Sequence, residues 1–273
     1  MKKSQIIFIV AGLVMVATLY SLPMIVVENE GENLSMEEDD LSSDFDSTGA
    51  LHNAALSAEA QSVIEKLVGE MDVVDDKEKF VIFADSVASF YEEGGKLDSA
   101  AYFYGLAAEK YPDPNTWEKA GNAYYEAFGY SMDEQKTQAL ASKTRAYLNR
   151  VLEKNPERLD LKTKVAMTYV SSPNPMQGIT MLRDILEEDP QNEAALFNMG
   201  ILSMQSGQYK KAVERFELLV ANNPGHIQGQ FYLGVCYFES KQRNKARKQF
   251  EMLKNQTDDP QVLSGIENYL ERL

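Results

Sequence analysis

The sequence of 273 residues holds one cysteine, Cys236, two histidines, His52 and His226, and a single tryptophan. One Cys permits no intrachain disulfide and no Cys-x-x-Cys redox or zinc motif. Two His 174 positions apart leave little from which to build a transition-metal site. Positive charge is also scarce: Lys plus Arg is 27 against 42 Asp plus Glu, a net charge of −15. That balance argues against nucleic-acid binding through a broad basic surface. Between Lys3 and Lys66 there is no Lys or Arg at all. What remains is ordinary for a globular chain, 44% hydrophobic, 10% aromatic and 25% charged.

The basic gap has two parts. Residues 4–27, SQIIFIVAGLVMVATLYSLPMIVV, are 24 positions without a charge. At a rise of ~1.5 Å per residue they cross a ~30 Å hydrocarbon core with some tilt. Pro23 kinks the outer end tolerably. A cleaved signal peptide would have a shorter apolar core and a small-x-small exit, and a lipoprotein signal a Cys just after the run. The sequence favours an uncleaved N-terminal transmembrane helix over a cleaved signal or a buried core helix. Lys2 and Lys3 then place the N-terminus in the cytoplasm and the rest outside, which in a bacterium is the periplasm. Residues 28–55 follow as an acidic linker. Glu28, Glu30, Glu32, Glu37, Glu38, Asp39, Asp40, Asp44 and Asp46 stand among Ser and Asn. A solvated spacer is favoured there over an acidic binding motif.

Beyond the spacer the prolines set a period. Pro112, Pro156, Pro190, Pro224 and Pro260 are 44, 34, 34 and 36 residues apart. Aligned on them, residues 81–114, 159–192, 193–226 and 227–260 agree at further places. A small residue recurs in the first half of each segment: Ala88, Ala166, Gly200 and Gly234. An aromatic follows three positions later as Tyr91, Tyr169 and Tyr237, with Ser203 as the departure. A second small residue, Ala100, Gly178, Ala212 or Ala246, precedes Tyr104, Leu182, Phe216 or Phe250 by four. A further segment, 114–158, opens on TWEKAGNAYY with Trp117, Gly121 and Tyr124. Its second half arrives late, with Thr144 at the small position. FGYSMDEQKTQ reads as an extension of both helices or as a protruding loop.

This pattern resembles the tetratricopeptide repeat, W-x₂-L-G-x₂-Y…A-x₃-F…P, over about two thirds of the chain. The resemblance implies an all-α fold, a right-handed superhelix of about five helix-turn-helix repeats. Residues 56–75 read as a leading helix with Val63, Ile64, Leu67 and Met71 on its apolar stripe. The repeat domain covers 76–273. Residues 261–273, with Val262, Leu263, Ile266, Tyr269, Leu270 and Leu273 on one face, read as a capping helix.

The resemblance also implies that the first helices line a concave groove for a peptide or partner protein. Setting aside the packing positions leaves Thr163, Met167 and Val170, then Phe197, Ile201 and Met204, then Phe231, Val235 and Phe238. Within a helix these are three or four apart and share a face. The candidate groove is therefore Met167, Val170, Phe197, Ile201, Met204, Phe231, Val235 and Phe238, with packing against neighbouring helices as the competing reading, favoured for Val235. The matching earlier places, Asp85, Ser89, Glu92, Glu118, Asn122 and Tyr125, make the N-terminal end polar and acidic. Asp85, Ser89, Lys119, Asp160 and Lys164 do not reproduce the carboxylate clamp of chaperone adaptors.

Catalysis finds no support. Neither His is grouped with Ser and Asp, and the paired acids Glu92-Glu93 and Glu187-Glu188 read as solvated charge. Cys236 lies in a packed helix and reads as a structural thiol. The expectation is a non-enzymatic adaptor or scaffold, single-pass in the cytoplasmic membrane with its repeats periplasmic, acting in envelope assembly or protein export. No cofactor, metal, nucleic acid or small-molecule substrate is expected. The alternative is a holdase-like chaperone for unfolded exported chains.

Overall fold

The computed structural model describes residues 56–273. The expected membrane helix at 1–27 and the linker at 28–55 lie outside the described residues. Among the described residues there are twelve α-helices, no strand, and no helix long and apolar enough to cross a membrane. A leading helix α1 (Ala58–Val73) comes first. Five pairs follow: α2 (Lys77–Glu93) with α3 (Leu97–Lys110), α4 (Pro114–Gly129) with α5 (Glu134–Leu152), α6 (Leu159–Val170) with α7 (Pro175–Glu188), α8 (Glu193–Gln205) with α9 (Tyr209–Asn222), and α10 (Ile227–Glu239) with α11 (Arg243–Lys254). A final helix, α12 (Pro260–Glu271), stands alone.

The boundaries follow from capping chemistry. The side chains of Ser57, Asp76, Asp113, Asp133, Asn192 and Asp259 each accept a backbone N–H of the helix they open. Each such cap is worth about 1 kcal/mol. Asp113 shares a reciprocal box with Thr116, and Pro114 supplies the preset φ of the first turn. Pro156, Pro190 and Pro224 fall between repeats, where a second helix has ended. Pro260 has the other proline role, because it opens α12. The late second half of the second repeat resolves as an extension. Asp133 caps α5, which runs 19 residues, and the connecting turn carries Met132 fully in solvent.

Every helix packs on its chain neighbours, and α6 also meets α8 while α10 meets α12. Contacts between consecutive units are the defining feature of a solenoid. Within a pair, the two helices approach through a small residue set against a large one. A Cβ at Gly200 would sit 2.6 Å from the Phe216 ring, one at Gly234 2.6 Å from Phe250, and one at Gly121 2.3 Å from Leu148. Phe216, Phe250 and Leu148 are fully buried, each stabilising by roughly 2–3 kcal/mol. In the third pair the arrangement is reversed. The glycine lies on the second helix, and a Cβ at Gly178 would fall 2.3 Å from the Ala166 carbonyl oxygen.

The aromatic landmarks fill the space beside these contacts. Tyr91 stacks on Phe103 at 5.6 Å between ring centroids, and Tyr124 on Tyr147 at 5.8 Å. The departure at Ser203 is accommodated by polar bonds. Its hydroxyl donates to the Met199 carbonyl at 2.7 Å and accepts from Arg215.

The obstacle at Gly178 is backbone, which cannot swing aside as a side chain can. Gly178→Ala should therefore destabilise the repeats by about 2–3 kcal/mol. Gly69→Ala, in the exposed middle of α1 with nothing within 4 Å, should stabilise by about 0.5–1 kcal/mol. Urea-unfolding midpoints of the two variants test this, and equal shifts would overturn the account.

Candidate protein-interaction face

The first helices α2, α4, α6, α8 and α10 lie side by side, joined from one repeat to the next by side chains. At the N-terminal end the joints are polar. Lys119 of α4 pairs with Asp85 of α2. Arg158, just before α6, forks across to Glu118 of α4 at 3.0 and 2.7 Å and holds Asp160 at 2.9 and 2.7 Å. Lys164 donates to Asn122 Oδ1 at 2.6 Å and stands 5.7 Å over the Tyr125 ring.

The expected acidic end is thus polar, but its acids are largely engaged. Asp85 and Glu118 meet cations from the following repeat. Glu92 meets no cation among the described residues, only the Tyr104 hydroxyl. Burial, then the charges of Glu126 and Asp85, push its carboxyl above the ordinary range. Burial likewise lowers the Lys164 ammonium. Asp85 Oδ1 is buried without a partner among the described residues, as is Trp117 Nε1. The sequence held a signal for only one of these joints, Lys119 with Asp85. Asp85 and Lys119 are 34 residues apart, one repeat, and the other pairs 40 and 42.

At the C-terminal end the joints are apolar, and here the candidate groove residues come together. Phe197, Ile201, Met204, Phe231, Val235 and Phe238 all belong to the cluster built on Phe216, Phe250 and Ile266. Met167 and Val170 belong to the adjoining cluster around Leu182 and Met199. Val235 is buried, 7% exposed, and the other seven are half-buried. The aromatic members point into the next helix along. Phe197 meets His226 and Tyr232 of the following repeat at 5.3 and 5.9 Å. Phe231 meets Tyr269 of α12 at 6.1 Å, and Phe238 meets the same ring at 5.3 Å. The Arg272 guanidinium lies 4.9 Å from the Phe238 ring. The phenylalanines therefore knit first helices together, while Met167, Ile201 and Met204 are half-buried and keep part of their surface.

The other chemistry-bearing residues are occupied. His226 Nδ1 accepts the Gly229 N–H at 3.0 Å and caps α10. Burial pushes the Cys236 thiol up to about 12, which suppresses the nucleophilic thiolate. No group of three or more His, Cys, Asp or Glu that could hold a metal ion occurs among the described residues. His52 lies outside them.

The tetratricopeptide repeat family model matches residues 169–230 and 203–267. No curated protein matches the sequence. Among solved structures, a tetratricopeptide repeat protein from Parabacteroides merdae gives a TM-score of 0.53 at 18% identity, covering 79% of this chain and 87% of that one. A thermophilic TPR protein from Thermus thermophilus gives 0.51 at 13% identity, covering 71% and 99%. At such identities the likeness is one of fold.

The Arg158 fork has a measurable consequence. Its hydrogen bonds hold the Asp160 carboxyl below the ordinary range. The stabilisation is complete above the unfolded value, about 4, and is lost as pH falls through the lower folded value. Arg158→Met should return Asp160 to the ordinary range in a carboxyl-carbon NMR titration. An unchanged titration would remove Arg158 as the cause.

Proposed function

We propose that the chain is a tetratricopeptide repeat protein, on the family match within residues 169–267, and that it is a non-enzymatic adaptor whose first-helix face docks a partner protein or peptide. One observation carries the reading: half-buried aliphatic side chains, Met167 on α6 and Ile201 and Met204 on α8, stand on first helices, and Met167 lies three residues from Lys164 of the Asn122–Lys164 joint. An apolar strip beside fixed charged pairs suits an amphipathic helix or an extended segment with one apolar edge. Methionine adapts its three torsions to varied side chains. The fully buried Phe216 and Phe250 supply rigid backing beneath Ile201 and Met204.

The same proposal has the chain tethered to the cytoplasmic membrane by residues 4–27. Lys2 and Lys3 stay inside, and the repeats act outside in envelope assembly or export. The support is the uncharged run of 24 residues and the absence of Lys and Arg from there to Lys66. A holdase for unfolded exported chains would use the same face and differs in selectivity.

A photocrosslinking residue at position 201, in living cells, should capture one protein that is not captured from position 218 on the second helix α9. Capture from 218 alone would reject the face. Capture of many unrelated chains from 201 would favour the holdase. Independently, a reporter active only outside the cytoplasm, fused after Leu273, should be active, and silence would sink the orientation.

A further inference from the structure

The twelve described helices do not divide evenly into repeats. Five pairs account for ten, and one helix is left over at each end. The two leftovers are of opposite kinds. Helix α1 precedes the first helix of the first repeat and packs on it, as a second helix packs on the repeat that follows. Helix α12 packs on both α10 and α11, as a first helix packs on the repeat before it. Among the described residues, α1 therefore stands as a second helix without its first, and α12 as a first helix without its second.

Charge separates α1 from α11, the second helix that precedes α12; α12 itself carries Glu267 and Glu271 and no cation. Residues 57–78 hold seven acids, Glu59, Glu65, Glu70, Asp72, Asp75, Asp76 and Glu78, against Lys66 and Lys77. Both lysines are engaged locally, with Glu70 and Asp113. The side chains of Glu59, Glu65, Asp72, Asp75 and Glu78 meet no cation among the described residues. Residues 241–254 hold six cations and only Glu251. Lys245 pairs with Glu217 and Lys254 with Glu267. Lys241, Arg243, Arg247 and Lys248 are exposed and meet no anion among the described residues. Lys241 moreover holds a left-handed backbone, φ 64°, at the turn position that Gly95 and Gly207 occupy in other repeats. A cation stands there although glycine would relieve about 1 kcal/mol of strain.

We infer that copies of this chain associate head to tail, α1 of one copy seating beside α12 of the next and completing a sixth repeat. In that arrangement the acids of α1 follow α11 as one second helix follows another. They meet the unmatched cations Arg243, Arg247 and Lys248. Exposed apolar side chains are present on both partners, Val63 and Val73 on α1 and Met252 on α11, at 41%, 82% and 40%. The contact joins unlike surfaces, so it is heterologous and does not close on itself. Its polar rim makes it reversible and salt-sensitive. The association is separate from partner docking on the first-helix face, and either can fail without the other.

The test is sedimentation of the full chain in detergent micelles across protein concentration. At ~0.05 M salt the weight-average mass should rise with concentration. At ~1 M, where the screening length falls to ~3 Å, it should return to that of one copy. The triple variant R243E/R247E/K248E should stay single at low salt, and so should E65K/D72K/D75K. An equal mixture of the two should associate, because their reversed ends are complementary. Helical circular dichroism equal to the parent confirms that both are folded. A full chain that is single at low salt overturns the inference. So does association that survives either variant or high salt, or a mixture that stays single.

Discussion

The close approach of two helices through a small residue against a large ring is what the remainder of this structure depends on. Gly200 with Phe216 and Gly234 with Phe250 leave no room for a β-carbon. That contact fixes the distance and crossing of each pair. A helix pair so fixed has one apolar flank it cannot bury alone, and the next repeat supplies the cover. Cores formed this way are serial. They run from the cluster around Ile64 and Phe80 near the start to the one around Phe250 and Ile266 at the end, without a single centre.

The interaction face inherits that construction. Each first helix must turn one flank to its predecessor and another to its successor, which leaves only a narrow stripe for a ligand. In the last repeats the flanks are aromatic, and the phenylalanines that a groove would display are also the ones that hold α8, α10 and α12 together. In the early repeats the flanks are ionic, and Arg158 serves both Glu118 and its own helix start. Ion pairs of this exposure contribute little stability, about 0–1 kcal/mol each. Their effect is to fix the position of charge along the face.

The sequence made the helix pairs legible because the period near 34 and the Gly, Tyr and Phe landmarks are local to each repeat. It did not reveal which polar groups meet, although Asp85, Glu118, Asn122 and Tyr125 all stand at face positions. Arg158 and Glu118 are 40 residues apart, in repeats of unequal length, so no fixed spacing links them. The long α5 was ambiguous for a related reason. Residues 134–139 are polar enough to read as loop, and only the Asp133 cap and the packing of Leu140 on α4 make them helix.

By itself, then, the sequence determined the all-α repeat architecture, the number of pairs and the small-against-large contacts within them, since these are set over stretches of about 34 residues. Tertiary structure alone decided which groove candidates are covered. Tyr269 lies 38 residues from Phe231 and 31 from Phe238, yet its ring closes over both. That outcome depends on the angle at which α12 leaves the last repeat. The angle is set by how Phe250 and Ile266 pack and how closely Phe231 approaches Gly265, which no linear pattern encodes.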